Sequence, residues 1–309
     1  MGDHAPVLVA EFLALADPKP GESWVDGTAG AGGHAREILG RIGPGGRLIG
    51  LDRDPVAVEL ALSRLGRGAN AQIELGSYEQ VEEVAQRLWG GAKCDGILLD
   101  LGVSSLQLDD PARGFSFSRP GPLDMRMGPD SERSAAELVN GGSAEELERI
   151  FREFGEERQS RRVADAIVRE RKGKPFSDTA RLAEVVAGAV GGMRGRTHPA
   201  TRVFQAIRIA VNRELERLKN ALDRLPALLN PGGRFAVISF HSLEDRMVKE
   251  RFRELGRQGG WQILTKHVAV ASREEELRNP RSRSAKLRVV RREAGGSGQG
   301  VVGRKGQDS

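Results

Sequence analysis

The first hundred residues alternate short apolar runs with amphipathic stretches. Ser23 to Asp26 (SWVD), Arg47 to Asp52 (RLIGLD) and Ala71 to Leu75 (AQIEL) read as strands, and Ala35 to Arg41, Pro55 to Leu65 and Glu79 to Leu88 as helices between or after them. Asp95 to Leu101 (DGILLDL) is almost continuously apolar, as expected of a strand covered on both faces of a parallel sheet. Strand and helix in alternation predict a doubly wound α/β domain.

After Asp109 the alternation stops. A loop rich in Pro, Gly and Asp runs to Met127, and the block beyond it is helical throughout. Ser134 with Glu137, and Ser143 with Glu146, have capping-box spacing. Leu147, Ile150, Phe151 and Phe154 make one helix face, and Leu182, Val185, Val186 and Ala189 another. Phe204, Ile207, Val211, Leu215 and Leu218 predict one long helix. Asn230 to Gly233 reads as a turn, and Arg234 to Phe240 (RFAVISF) as a further buried strand. The expected division is a sheet domain over residues 1–109 and 201–294, interrupted by a helical insert over 110–200. Residues 295–309 form a polar, glycine-rich tail expected to be disordered.

Composition narrows the class. With 39% hydrophobic and 29% charged residues the chain is globular rather than disordered. No run approaches the roughly 18 to 20 apolar residues of a membrane span, and the N-terminus has neither a basic cluster nor Arg-rich character, so no secretory or transit segment is expected. One cysteine, Cys94, excludes a disulfide framework and a Cys-rich zinc site. Five scattered histidines suggest no metal site. All of this suits a reducing cytoplasm. A net charge of +5 admits a polyanionic partner. Eight basic residues lie between Arg152 and Lys174, against five acidic ones, and seven between Arg278 and Arg292. They are either solvated faces or phosphate contacts.

The chemistry begins at Asp26-Gly-Thr-Ala-Gly-Ala-Gly-Gly-His34, where the first strand turns into the first helix. Glycines there let a ligand approach the backbone, and a helix N-terminus behind them favours anionic or polar groups. Asp52 ends the second strand, twenty residues beyond Gly32, where a carboxylate can accept from both hydroxyls of a ribose. The pattern fits a dinucleotide fingerprint as well as an adenosyl site, so it leaves NAD(P) and S-adenosylmethionine open. Tyr78, after the third strand, can stack on adenine or pack between helix and sheet. Asp100 ends the fourth strand, where open α/β sheets bind ligands.

Longer motifs decide between the cofactors. The segments from Asp95 to Met127, Arg196 to Glu216 (RTHPATRVFQAIRIAVNRELE), Ile238 to Lys249 (ISFHSLEDRMVK) and Asn279 to Arg292 (NPRSRSAKLRVVRR) resemble the RsmH (formerly MraW) family of bacterial ribosomal RNA methyltransferases. His4 to Leu8 (HAPVL) and Gly30 to His34 (GAGGH) are similar to the same family. The resemblance runs from His4 to about Arg292. It implies a class I methyltransferase domain, Rossmann-like, with an inserted all-helical substrate-recognition domain. It further implies N4-methylation of a cytosine in the decoding region of 16S rRNA near the P site, with S-adenosyl-L-methionine as donor and the small ribosomal subunit as partner. The cofactor contacts it implies are Gly32, Gly33, His34, Asp52, Tyr78, Asp100 and Gln107. Thr28 replaces the first glycine of the general loop D-x-G-x-G-x-G.

A sulfonium donor carries an activated methyl group, so the demand falls on the acceptor. The cytosine N4 lone pair is delocalised into the ring, and a hydrogen-bond acceptor must localise it. Asp100-Leu-Gly-Val-Ser-Ser105 lacks the Pro-Pro-aromatic element common in amino-group methyltransferases. Asp100, Ser104 and Ser105 are the candidates for the catalytic acceptor, the serines equally for forming the loop. Phe115 and Phe117 can stack on the target base or plug a domain junction. Arg196, His198 and Arg202 stand where the insert returns to the sheet, placed for RNA or for interdomain contact. His34 and His241 have no partner visible in sequence and read as structural.

Overall fold

A computed structural model describes residues 6–66, 68, 70–192 and 198–294. Its centre is an eight-stranded sheet. Strands β1 (Ser23–Asp26), β2 (Arg47–Asp52), β3 (Ala71–Leu75), β4 (Cys94–Asp100) and β5 (Leu229–Ser239) are parallel, and β6 (Trp261–Ile263), β7 (Ala269–Val270) and β8 (Lys286–Arg292) complete it. The order is β3-β2-β1-β4-β5-β8-β6, with β8 antiparallel to β5 and β7 paired to β8. The winding reverses between β1 and β4, so a crevice opens at their carboxyl ends.

Both faces of the sheet are covered, which is why β4 is apolar without alternation. Val25, Ile97, Leu99, Phe235 and Val237 pack toward α4 (Val81–Trp89), α11 (Glu214–Arg224) and α12 (Ser242–Gln258). Their neighbours Trp24, Leu98, Ala236 and Ile238 face α1 (Val9–Ala16) and α2 (Gly33–Ile42). Helix α3 (Pro55–Leu65) lies beside β3 and is capped by Asp54, whose carboxylate accepts the Val56 N–H at 3.1 Å. Gly96 in β4 is required by close approach: a β-carbon there would lie 2.3 Å from the Trp24 ring. Gly96→Ala is therefore expected to destabilise the domain by about 1–3 kcal/mol through overpacking. Urea unfolding checks this, and an unchanged midpoint would refute the packing argument.

The helical block comprises α5 (Ser105–Asp109), α6 (Ala135–Gly141), α7 (Ala144–Gly155), α8 (Ser160–Gly173), α9 (Thr179–Val190) and α10 (Ala200–Asn212), with α13 (Arg273–Arg278) later in the chain. Ser134 heads α6 with a complete capping box. Ser143 caps α7, but Glu146 turns away to Arg133 at 2.6 Å instead of closing its box. The helical core runs from Phe115 to Val211. It takes in α10, so the helical packing extends beyond residue 200.

Three expectations need correction. The long helix is two, α10 and α11, broken at Arg213 with φ +52°. Asn212 is the cause: its side chain accepts the Met127 N–H (2.8 Å) and the Ser131 hydroxyl (3.0 Å), and donates to the carbonyls of Met125 (2.8 Å) and Arg208 (2.9 Å). Asn230 to Gly233 does not separate helix from strand; it is an irregularity inside β5, which jumps from Leu229 to Arg234 opposite Cys94 and Gly96 of β4. The basic C-terminal stretch is largely sheet. Lys286 and Arg288 pair with Asp245, Arg291 reaches Gln262, and Arg292 donates to the Leu229 carbonyl at 2.6 Å. The basic residues of α8 also work internally: Arg161 joins Glu148 and Asp165, and Arg171 donates to the carbonyls of Val139 and Gly142. Arg196, His4 and the tail over 295–309 lie outside the described residues.

Candidate active site

The crevice holds a cavity of about 410 Å³. Its floor is the loop after β1. Asp26 is buried, accepts the Thr28 N–H at 3.2 Å, and leaves Oδ2 without a partner among the described residues. Burial, reinforced by the charge of Asp52, pushes its carboxyl up to about 7. Thr28 is useful where a glycine was expected: its hydroxyl accepts the Asp100 N–H at 2.6 Å and ties the loop to the end of β4. Gly30, with φ +52°, donates its N–H to Asp52 Oδ2 at 2.8 Å, while the Asp54 N–H reaches Asp52 Oδ1 at 2.9 Å. Burial raises the Asp52 carboxyl despite these two donors.

Gly33, His34, Tyr78, Asp100, Ser104, Ser105 and Gln107 join Gly30 and Asp52 in the cavity wall. Gly32 stands behind it, with φ +82° and Leu65 3.1 Å from where a β-carbon would be. Tyr78 opens a single 3-10 turn, Tyr78–Gln80, and packs against Gly27. Burial moves its phenol above the ordinary tyrosine range. Gln107 is buried and fastened at both ends: it accepts the Ser104 N–H at 3.0 Å and donates to Asp54 Oδ2 at 3.0 Å, where Arg113 also binds at 2.6 Å. Ser104 caps α5 by accepting the Gln107 N–H, and Ser105 accepts from Arg281, which also pairs with Asp109 at 2.8 Å. Both serine hydroxyls thus have structural work as well as a place in the wall.

Asp100 differs from them. Its Oδ1 is shut off from water and has no partner among the described residues, and its carboxyl is raised well above the ordinary range by burial, then by Asp26 and Glu244. His34 lies beside it, with Nδ1 3.5 Å from Asp100 Oδ2 and Nε2 2.9 Å from the Val7 carbonyl.

The cavity also contains residues that sequence reasoning missed: Arg208, Glu214, Phe240, Glu244 and Arg281. Arg208 grips Glu214 through two hydrogen bonds of 2.8 Å across the break between α10 and α11. Glu214, His241 and Glu244 bring ligand atoms within 4.8 Å of one another, but the guanidinium already supplies a cation on Glu214. The available signal was a pair of charges on an otherwise apolar stripe. Glu214 is buried while Leu215, the stripe's expected member, is not.

Phe115, Phe117 and His198 do not line the cavity. Phe115 is buried in the helical core, 8% exposed, and has no free face for a base. Phe117 packs between His198 and Phe204, with ring centroids 4.7 and 4.8 Å away. Arg202 donates to the Glu156 carbonyl at 3.2 Å.

A Rossmann-like sheet of this order, with a glycine loop and a ribose-spaced carboxylate at the switch point, defines an adenosine-binding α/β protein. The chain belongs to the MraW methylase family, whose model matches residues 1–293. It is 49% identical to a protein of Syntrophotalea carbinolica named ribosomal RNA small subunit methyltransferase H, over 94% of this chain and 98% of that one. Proteins of the same name from Thioalkalivibrio sulfidiphilus and Anaeromyxobacter sp. (strain K) are 48% and 50% identical. These matches cover 94% and 93% of this chain and 97% of each relative. The cavity fits S-adenosyl-L-methionine. The positive-φ glycines leave its floor open, Asp52 stands at ribose spacing, and Asp100 adds a carboxyl to the wall that suits a cationic or amino group.

Proposed function

We propose that this enzyme transfers a methyl group from S-adenosyl-L-methionine to N4 of a cytosine in the decoding region of 16S ribosomal RNA, at the P site, within the small ribosomal subunit. The observation that carries the reading is Asp100: a carboxyl at the end of β4, one oxygen of which has no partner among the described residues, in one cavity with the glycine loop and Asp52. The names of the relatives support a small-subunit ribosomal RNA substrate.

The cofactor supplies a methyl group already activated on a sulfonium. Asp52 would hold the ribose hydroxyls, Tyr78 the adenine, and the backbone of Gly32 to His34 the loop side. Asp100 accepts from the cytosine amine and turns its lone pair toward the methyl group. Holding donor and acceptor in line supplies much of the acceleration. The base must be single-stranded or flipped out to enter.

The test is transfer from labelled S-adenosyl-L-methionine to small subunits purified from a strain lacking the enzyme, with the product nucleoside identified by mass spectrometry. An N4-methylated cytidine at the P-site position is expected. Label on another atom or base, or none at all, would overturn the assignment.

A further inference from the structure

The ring of His34 is wedged between Val7, Phe12 and the end of β4. It meets the Phe12 ring edge-on, at 5.9 Å and 83°, and is only 4% exposed. Its hydrogen bond to the Val7 carbonyl decides the tautomer. A carbonyl only accepts, so Nε2 carries the ring proton and Nδ1 of the neutral imidazole presents a lone pair. Nδ1 lies 3.5 Å from Asp100 Oδ2. Two lone pairs repel, so the contact is favourable only with a proton between them.

The surroundings favour the proton as well. Asp26 from β1 and Glu244 from α12 put acidic groups toward Asp100, and Glu37 faces His34 from its own helix. Thr28 takes the Asp100 backbone N–H, and Arg208, a cation of the same cavity, is clamped on Glu214. Burial holds the His34 imidazole down to about 4 and lifts the Asp100 carboxyl well above its ordinary range. The shared proton therefore lies toward Asp100 Oδ2.

We propose that His34 is the proton partner of Asp100: the pair holds one proton at rest and takes up a second, the one an acceptor amine must lose. This rests on the amine acceptor of the proposed function. Methyl transfer breaks the carbon–sulfur bond, whose electron pair stays on sulfur, and forms the carbon–nitrogen bond from the N4 lone pair. One proton on N4 is then surplus. Asp100 takes it as a proton passes from Oδ2 to His34 Nδ1. Positive charge leaves the sulfonium and reappears on the imidazole, so the cavity's net charge is unchanged across the step. Reversal through Asp100 returns the proton to water after the product has left. The 3.5 Å separation is in keeping with catalytic contacts that tighten only once substrate is bound.

His34→Gln tests the assignment. Its amide can donate to the Val7 carbonyl and accept from Asp100, but cannot be protonated. For transfer to small subunits, kcat is expected to fall about a hundredfold, with KM for S-adenosyl-L-methionine and the urea midpoint near the wild-type values. In ¹⁵N-histidine spectra of the full wild-type chain, the His34 Nδ1 signal should shift at the pH where Asp100 titrates, and that step should vanish in Asp100→Asn. Wild-type kcat in the Gln variant would overturn the proposal. So would a His34 that titrates independently near the ordinary histidine value of about 6.5. If the wild-type enzyme methylates no amine, the proposed function fails first. The titration then decides separately whether the two residues share a proton.

Discussion

Asp100→Asn is expected to slow methyl transfer by about a hundredfold to ten-thousandfold, the range lost when a positioned acid–base group is removed. The side chain keeps its size and its place at the end of β4, so the sheet should not change. What changes is the chemistry of the carboxyl. Asp100 lines the cavity, and an amide in its place either presents N–H groups to an amine that is itself a donor, or offers only an amide oxygen. Neither form can carry a proton away, and the exchange with His34 at 3.5 Å is lost too. Single-turnover transfer to small subunits, with S-adenosyl-L-methionine saturating, isolates this step from cofactor affinity. A variant that keeps the full wild-type rate would remove Asp100 from the chemistry.

The second large effect concerns stability. Arg234→Leu is expected to cost about 3–5 kcal/mol, the range for breaking a buried ion pair by removing one partner. Arg234 is 8% exposed and grips Glu22 at 2.8 and 2.7 Å. It also donates to the carbonyls of Ala16 (2.6 Å), Asp17 (2.8 Å) and Asp95 (3.2 Å), and lies over the Trp24 ring at 5.1 Å. One guanidinium thus joins α1, β1, β4 and β5. Burial alone would raise the Glu22 carboxyl, yet the Arg234 fork and the Trp24 N–H hold it below its ordinary value. Leucine would leave that carboxylate and three carbonyls without their donor. Urea unfolding at neutral pH measures the effect, and a loss below about 1 kcal/mol, the scale of an exposed pair, would show that the pair is not acting as a buried one.

Much of the framework was legible in the chain because each signal is local. Most of the parallel strands announced themselves as apolar runs, since burial on both sheet faces tolerates few polar residues in Val25, Ile49, Ile97 and their neighbours. The glycine loop, the caps at Ser134 and Ser143 and the carboxylates at the ends of β1, β2 and β4 depend on spacing over a few residues. The three antiparallel strands near the C-terminus escaped notice. Their charged residues, such as Lys286 and Arg288, are neutralised by Asp245, forty-one and forty-three residues away in sequence.

The sequence by itself determined the sheet's parallel half, the helical interruption, the family and the set of candidate cofactor groups. Only the tertiary structure decided how those groups are engaged. It joined Thr28 to Asp100, Gln107 to Asp54, and Arg281 to Ser105, each across more than fifty residues of chain. It bent the predicted long helix at Arg213 through the hydrogen bonds of Asn212, which brought Arg208 and Glu214 into the cavity. It sank Phe115 into the helical core and gave His34, unpartnered on paper, a carbonyl on one nitrogen and a carboxyl on the other. The physical reason is range. Hydrophobic period and turn chemistry act between near neighbours and leave their mark in the order of residues. Burial of a charge and the partner of a buried oxygen depend on which distant segments the fold brings within a few ångströms.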